Sequence, residues 1–375
     1  MNHWNRDLDR LQRSGIRRFT NMAKEVPGCV MLTIGEPDFD TPEPICQAAA
    51  QALKEGHTHY APNQGDPELL QAIADFESAR GMACEPGQVL VTVGATGALY
   101  TALTGVLEPG DQVIVPSPAF SLYESIATAA GAETVRLDLS ETGLQIDYAA
   151  LAAAIGPRTR AIVLNSPCNP TGTVLSEESL AAVKEAVLGK QIWVICDNVY
   201  AGVCDGPCPD LTLDPQLRDQ VLLCQSFSKP YAMTGWRLGY LIGPQALMDR
   251  LLLLHAAQVA SVPTFVQKAG VAALRTDVSA MAAEYRRRRD WCMARLERMG
   301  LPFIRPQGAF YIFLDIRALP VSAEAFCTRA IREAGVALVP GTCFGAEGFV
   351  RLSYCCSPSA LEAGMARLET FLFSL

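Results

Sequence analysis

From about residue 88 the chain alternates short apolar runs with helix-like stretches. QVLVTV (88–93) precedes TGALYTALTGVL, and DQVIVP (111–116) precedes SLYESIATAAG; ETVRLDL (133–139) and TRAIVLN (159–165) follow, and SEESLAAVKEAVLG leads to QIWVICD (191–197). Continuous apolar runs separated by helical intervals predict βαβ crossovers and a largely parallel sheet buried on both faces. DQVLLCQSF (219–227) and RLGYLIG (237–243) have no long helix between them. So short a connection cannot make a parallel crossover, which predicts an antiparallel edge at this point of the sheet.

Beyond PQALMDRLLLLHAAQVASVP the pattern changes. GAFYIFLDI (308–316), GVALVPG (335–341) and GFVRLSY (348–354) read as short strands, with AEAFCTRAIREAG and SALEAGMARLETFLFSL as helices. The expected organisation is a large α/β domain over 46–274 and a smaller α+β domain over 275–375. Residues 1–45 join the smaller one or lie along it, because the Pro-rich GEPDFDTPEP does not repeat the βαβ pattern. VSAMAAEYRRRRDWCMARLERMG reads as one long helix whose basic cluster, 285–290, is a solvated face with no assigned function.

Length and composition narrow the class. A chain of 375 residues, half hydrophobic and 19% charged, suits a two-domain globular protein. A net charge of -8 argues against nucleic acid or anionic membrane as a partner. No apolar run approaches membrane-spanning length and the N-terminus lacks a signal-like apolar stretch, so a cytoplasmic location is expected. The 13 cysteines are odd in number and sit mostly in apolar runs, which reads as buried reduced thiols in place of a disulfide framework. CDGPC (204–208) and CC (355–356) lack a matching second pair and only four histidines are present, so no metal is expected.

Ligands in open α/β sheets bind beyond the carboxyl ends of the strands, and several polar residues fall at such ends. GAT (94–96) opens a helix directly after a strand, a place suited to phosphate, although a plain tight turn explains it too. Asp197 ends an apolar strand, where an ionised carboxylate needs a cation or donors, unless it merely caps the next turn; Tyr200 follows three residues on. NSPCNPTG presents Asn169 at a loop apex. Lys229, preceded by Ser226 and Ser228 and followed by Arg237, is either a surface lysine or a desolvated amine available as a nucleophile. Together these residues match the needs of a pyridoxal phosphate site: a lysine, a carboxylate for the ring nitrogen, donors for the phenolic oxygen and a helix N-terminus for the phosphate.

The ordered series GEPDF, HYAPNQGDPELLQAI, GATGAL, NSPCNPTG, CDNVY, SFSKPYAMTGWRLGY, GAFYIF and FVRLSY closely resembles the class I/II aminotransferases of fold type I, from about residue 12 to the end. The resemblance implies an α/β fold with a mostly parallel seven-stranded sheet flanked by helices, a smaller α+β domain, and transfer of an α-amino group from an L-amino acid to a 2-oxo acid. By the same resemblance Lys229 holds pyridoxal 5'-phosphate as a Schiff base and shuttles the proton. Asp197 pairs with the ring nitrogen, while Asn169 and Tyr200 donate to the phenolic oxygen. Ala95, Thr96, Ser226 and Arg237 bind the phosphate. Phe120 stacks on the ring where many relatives carry Tyr or Trp. Arg351 takes the substrate carboxylate, assisted by Asn165 and the backbone of Gly35. Tyr60 matches a residue that reaches the neighbouring subunit's cofactor, which implies a homodimer with shared sites. Two alternatives are a C–S β-lyase of the same fold, which TGWRLGY disfavours, and a cofactor-binding regulator without catalysis, which the short stretch before the main domain disfavours.

Overall fold

The structure, a computed structural model, describes residues 6–11, 14–204 and 206–375. A two-residue strand near the N-terminus, β1 (Val30–Met31), precedes seven strands from the apolar runs: β2 (Val89–Val93), β3 (Gln112–Ser117), β4 (Glu133–Asp138), β5 (Thr159–Asn165), β6 (Trp193–Asp197), β7 (Val221–Ser226) and β8 (Leu238–Ile242). They form one sheet in the order β2-β8-β7-β6-β5-β3-β4. Alternate residues leave opposite faces of each strand. Val113, Val115, Ala161 and Val163 therefore pack under helices Gly94–Val106, Leu122–Ala129 and Gln245–Val259, while Ile114, Ile162 and Leu164 pack under Tyr148–Ala154 and Glu177–Val187.

Every neighbouring pair is parallel except those of β8, which runs antiparallel to both β7 and β2. The antiparallel strand expected at an edge is thus one strand in, because β2 returns to cover it. The helix Tyr148–Ala154, between β4 and β5, was not read from the sequence; Asp147 caps it by accepting from the Ala150 N–H.

The C-terminal strands are β9 (Phe303–Ile304), β10 (Tyr311–Asp315), β11 (Val336–Ala337), β12 (Val339–Pro340) and β13 (Phe349–Ser353). Four of them form an antiparallel sheet, β12-β13-β10-β9. The run GVALVPG, expected as one strand, divides at Leu338: β11 pairs in parallel with β1, and β12 pairs with β13. Through β1 the N-terminal segment is hydrogen-bonded into this part of the chain, with Leu32 N–H on the Ala337 carbonyl and Ser353 N–H on the Leu32 carbonyl.

Two further expectations are corrected. The basic cluster is not uniformly solvated: Tyr285, Arg288, Cys292 and Leu296 form the buried stripe of helix Ser279–Arg298 at helical spacing, so one arginine faces inward. Cys204 and Cys208 are joined as a disulfide across the loop that holds Gly206 and Pro207, their Cα atoms 6.7 Å apart and within bridging range. The other eleven cysteines are free thiols. Among the described residues no helix is long and apolar enough to cross a membrane.

Candidate active site

The carboxyl ends of β5, β6 and β7 deliver Asn165, Asp197 and Ser226 to one crevice. Asp197 is 4% exposed. Its Oδ2 accepts the Tyr123 hydroxyl at 2.6 Å, and its Oδ1 accepts the Val199 N–H. Burial raises its pKa to about 6, opposed by the Tyr123 and Val199 hydrogen bonds and by the charge of Lys229. The carboxylate thus lacks a full counter-charge within the chain and is suited to meet a cationic N–H of a ligand. Asn165 fixes the neighbouring loop, its Nδ2 donating to the Asp197 carbonyl at 2.9 Å and its Oδ1 accepting the Asn169 N–H at 2.8 Å.

Lys229 follows β7 on a tight turn. Its Nζ donates to the Gly35 carbonyl at 2.6 Å, which ties the N-terminal segment to the large sheet. Burial lowers the pKa of the amine; Cys355 and Glu36 oppose that shift, and Arg237 and Arg351 add to it. A desolvated setting beside two arginines makes this lysine a better nucleophile than a solvated one, while the Gly35 carbonyl fixes where its amine points.

Arg351, on β13, is 2% exposed. Nη1 donates to Asn169 Oδ1 at 2.7 Å and Nη2 to the Thr33 carbonyl at 2.6 Å. The guanidinium lies over the Tyr311 ring at 4.4 Å and the Phe344 ring at 4.8 Å. Among the described residues its Nε is buried without a hydrogen-bond partner and no carboxylate pairs with the guanidinium. A buried cation with an open N–H is arranged for an incoming anion. Tyr200 shares a 2.8 Å hydrogen bond with Tyr311 through their hydroxyls, and burial raises the pKa of both phenols, that of Tyr311 to about 12.

Ala95 and Thr96 lie in the first turn of helix Gly94–Val106, whose leading N–H groups have no intrahelical acceptor. This helix start sits directly on β8: a Cβ added to Gly239 would lie 2.6 Å from the Gly94 carbonyl carbon and 2.8 Å from the Ala95 nitrogen. Arg237 takes a left-handed backbone, φ 56, and places Nη2 where a Cβ on Gly94 would lie 2.8 Å from it. Its Nη1 is held by the Thr234 carbonyl at 2.9 Å. Ser226 Oγ accepts the Ser228 N–H at 3.0 Å. Helix start and guanidinium converge as donors beside the Ser226 hydroxyl, which itself donates to the Leu238 carbonyl at 3.4 Å, a setting that fits a phosphate group. With Asp197 for a ring N–H and Lys229 for an aldehyde, the residues present fit pyridoxal phosphate.

Phe120 is half-buried with its ring edge-on to Tyr123 at 6.1 Å. Tyr60 is 89% exposed, and among the described residues no hydrogen bond or ring contact joins it to the crevice of its own chain. Sequence reasoning missed Tyr123, Tyr311, Phe344 and Thr33. Tyr311 sits inside the quoted GAFYIF and Tyr123 inside SLYESIATAAG, three residues after Phe120, so proximity to those segments was the available signal.

The family model for aminotransferase class I and II matches residues 27–368. An aspartate aminotransferase of Pyrococcus horikoshii is 38% identical over 372 residues, 96% of this chain and 95% of that one. An arginine–pyruvate transaminase of Pseudomonas aeruginosa is 39% identical over 350 residues, 90% of this chain and 88% of its own. The solved structure of Thermus thermophilus aspartate aminotransferase with maleate superposes with a TM-score of 0.94 at 35% identity, covering 99% of this chain and 100% of that one. The chain therefore belongs to the class I and II aminotransferases, pyridoxal phosphate-dependent enzymes that pass the α-amino group of an amino acid to a 2-oxo acid.

Proposed function

We propose that the residues gathered in the crevice divide this reaction as follows. Lys229 would hold the cofactor through its amine, and the free amine would move the proton from the substrate α-carbon. The observation that carries the reading is its position: the amine has a lowered proton affinity and donates to the Gly35 carbonyl at 2.6 Å, two residues along from the Thr33 carbonyl that holds Arg351. Pyridoxal phosphate, when bound, supplies an aldehyde and a cationic ring that takes up the electron pair left on the α-carbon. Asp197 keeps that ring nitrogen protonated, and the Tyr123 hydroxyl holds the carboxylate in place. Asn169 has its side-chain acceptor engaged by Arg351 and offers its amide N–H, with the Tyr200 hydroxyl, to the phenolic oxygen.

Ala95, Thr96, Ser226 and Arg237 hold the phosphate, and Phe120 covers the ring. Arg351 binds the substrate α-carboxylate with the N–H groups that Asn169 and Thr33 leave open, while Asn165 and Gly35 shape the place beside it. Tyr60 projects toward a second copy of the chain, and the assembly is a homodimer with shared sites; the near-complete exposure of its ring supports this reading. The division into 46–274 and 1–45 with 275–375 is proposed on the same footing, supported by separate sheets and largely separate apolar clusters.

Lys229→Ala tests the reading. In the wild type, borohydride reduction should fix the cofactor's mass on the peptide that contains residue 229, and an amino acid should give more than one equivalent of its 2-oxo acid per site only when an acceptor is present. The variant should lose both. Turnover retained in Lys229→Ala, or repeated turnover without an acceptor, would overturn it.

A further inference from the structure

We infer that Arg288, from the basic run on helix Ser279–Arg298, is a positioning residue for the catalytic lysine and the substrate-binding arginine, acting through Asp38. This rests on the roles proposed for Lys229 and Arg351. Only 4% of the Arg288 side chain is exposed. Nη1 donates to Asp38 Oδ1 at 2.6 Å and to the Cys356 carbonyl at 2.8 Å, and Nε donates to Glu284 Oε1 at 2.8 Å. The Phe39 and Tyr285 rings lie 5.1 Å and 5.5 Å from the guanidinium carbon. One fork thus joins a helix, the segment after β13 and the N-terminal segment that precedes helix Glu43–Lys54. A lysine cannot reproduce three divergent contacts from one point charge.

Asp38 ends a short strap whose backbone serves the site at successive residues. The Thr33 carbonyl accepts Arg351 Nη2 at 2.6 Å, the Ile34 carbonyl accepts Ser353 Oγ at 2.7 Å, and the Gly35 carbonyl accepts Lys229 Nζ at 2.6 Å. Glu36 accepts the Thr234 hydroxyl, and farther on Thr41 Oγ1 donates to the Ala232 carbonyl at 2.7 Å. Among the described residues the strap has no strand partner from Thr33 to helix Glu43–Lys54, so side chains and single carbonyls set its path. At Gly35 the backbone also passes so close to the Tyr311 hydroxyl that a Cβ would collide with it. Freed of Asp38, the strap can shift, and the two carbonyls that aim Lys229 and Arg351 shift with it.

The pair is not explained by stability alone. A buried ion pair is weak evidence for stability, since apolar residues of similar volume serve as well. Glu284 provides the contrast. It accepts from Arg287 and Arg288 of the same helix, and among the described residues it makes no hydrogen bond or ion pair with the strap.

The test compares Arg288→Lys, Arg288→Met, Asp38→Ala and Glu284→Gln in the cofactor-loaded enzyme, with cofactor content measured for each. The Arg288 and Asp38 variants should bind cofactor yet lose roughly 10- to 100-fold in kcat/KM, the scale of a small misplacement of reacting groups, with KM for the amino acid raised. The double variant Arg288→Met with Asp38→Ala should lose no more than either alone, since both act through one contact. In the cofactor-free protein, amide hydrogen exchange over residues 32–39 should speed up in the Arg288 and Asp38 variants and not in Glu284→Gln. A kcat/KM within twofold of wild type for Arg288→Lys and Asp38→Ala, unchanged exchange over 32–39, or an equal loss in Glu284→Gln would overturn the inference. Should Arg288→Met fail to fold, Asp38→Ala and Arg288→Lys carry the test. Failure of the lysine assignment shows independently, as turnover in Lys229→Ala.

Discussion

Replacing Asp197 by asparagine separates the cost of a buried carboxylate from its use. Burial raises this carboxyl from 3.8 to about 6 even though Tyr123, Val199 and Lys229 pull it down. A folded pKa above the unfolded one means that the native state holds the proton more tightly. The group's favourable contribution is then complete below 3.8 and is lost as the pH rises through about 6. The shift of about two units corresponds to about 3 kcal/mol against the cofactor-free fold above pH 7, at roughly 1.4 kcal/mol per unit. Asparagine does not titrate and keeps an oxygen for the Tyr123 hydroxyl, which stands 2.6 Å away in the native site. For a chain of 375 residues the unfolding entropy is about 0.8 kcal/mol per kelvin. Cofactor-free Asp197→Asn should therefore melt about 4 °C above cofactor-free wild type at pH 8. At pH 5, where the native carboxyl is mostly protonated and the unfolded one mostly ionised, the advantage should be about half as large. Scanning calorimetry at one protein concentration measures both, and the same variant should lose about 100-fold or more in turnover with cofactor restored. A melting point at or below wild type at pH 8, or the same advantage at both pH values, would refute the reasoning.

Arg351→Ala removes a buried guanidinium held between Asn169 and Thr33, and should raise the amino-acid KM by roughly 100-fold through the lost charge-assisted contacts while cofactor content changes little. Equal loss of bound cofactor in a titration would place the residue elsewhere in the mechanism. Gly239→Ala should destabilise the protein by about 1–3 kcal/mol by overpacking, since the new methyl meets the backbone of Gly94, Ala95 and Gln225 at 2.6–2.8 Å. Because Gly94 and Ala95 form the turn proposed to hold the phosphate, cofactor dissociation monitored by absorbance should also speed up, and an unchanged rate would separate the turn from the phosphate.

What could be read in the sequence, and what could not, follows the range of the forces involved. The seven strands of the large sheet are continuous apolar runs because both faces are covered, so each announces itself locally. The residues that break those runs, Asn165, Asp197 and Ser226, are legible for the same reason: a polar group ending a buried strand needs a purpose. Strand order is not local. Nothing in VLVTV says that it pairs with LGYLI across nearly 150 residues, which is why the antiparallel strand was placed at an edge and not one position in. Tyr123 and Tyr311 were invisible for a related reason. Each is an ordinary aromatic in an apolar run, and only the meeting with Asp197 or with Tyr200 and Arg351 gives it a task.

Arg288 shows where a charge pattern misleads. Four consecutive arginines read as solvated because charge is costly to bury, and three of the four keep some exposure. Yet a helix turns by 3.6 residues, so any run of four must send one member to each side. The stripe Tyr285, Cys292 and Leu296 marks which side is inward, and Arg288 lies on it. A charge on the buried stripe of a helix must meet a partner from elsewhere in the chain, and the acidic, Pro-rich GEPDFDTPEP offers candidates. Asp38 is that partner, 250 residues away in sequence and 2.6 Å away in space. The same step applies at Arg351, which lies in the continuously buried run of β13 and whose Nε has no hydrogen-bond partner among the described residues. Of two buried arginines, the one satisfied by carboxylates organises the chain, and the one left without a carboxylate is available for a substrate.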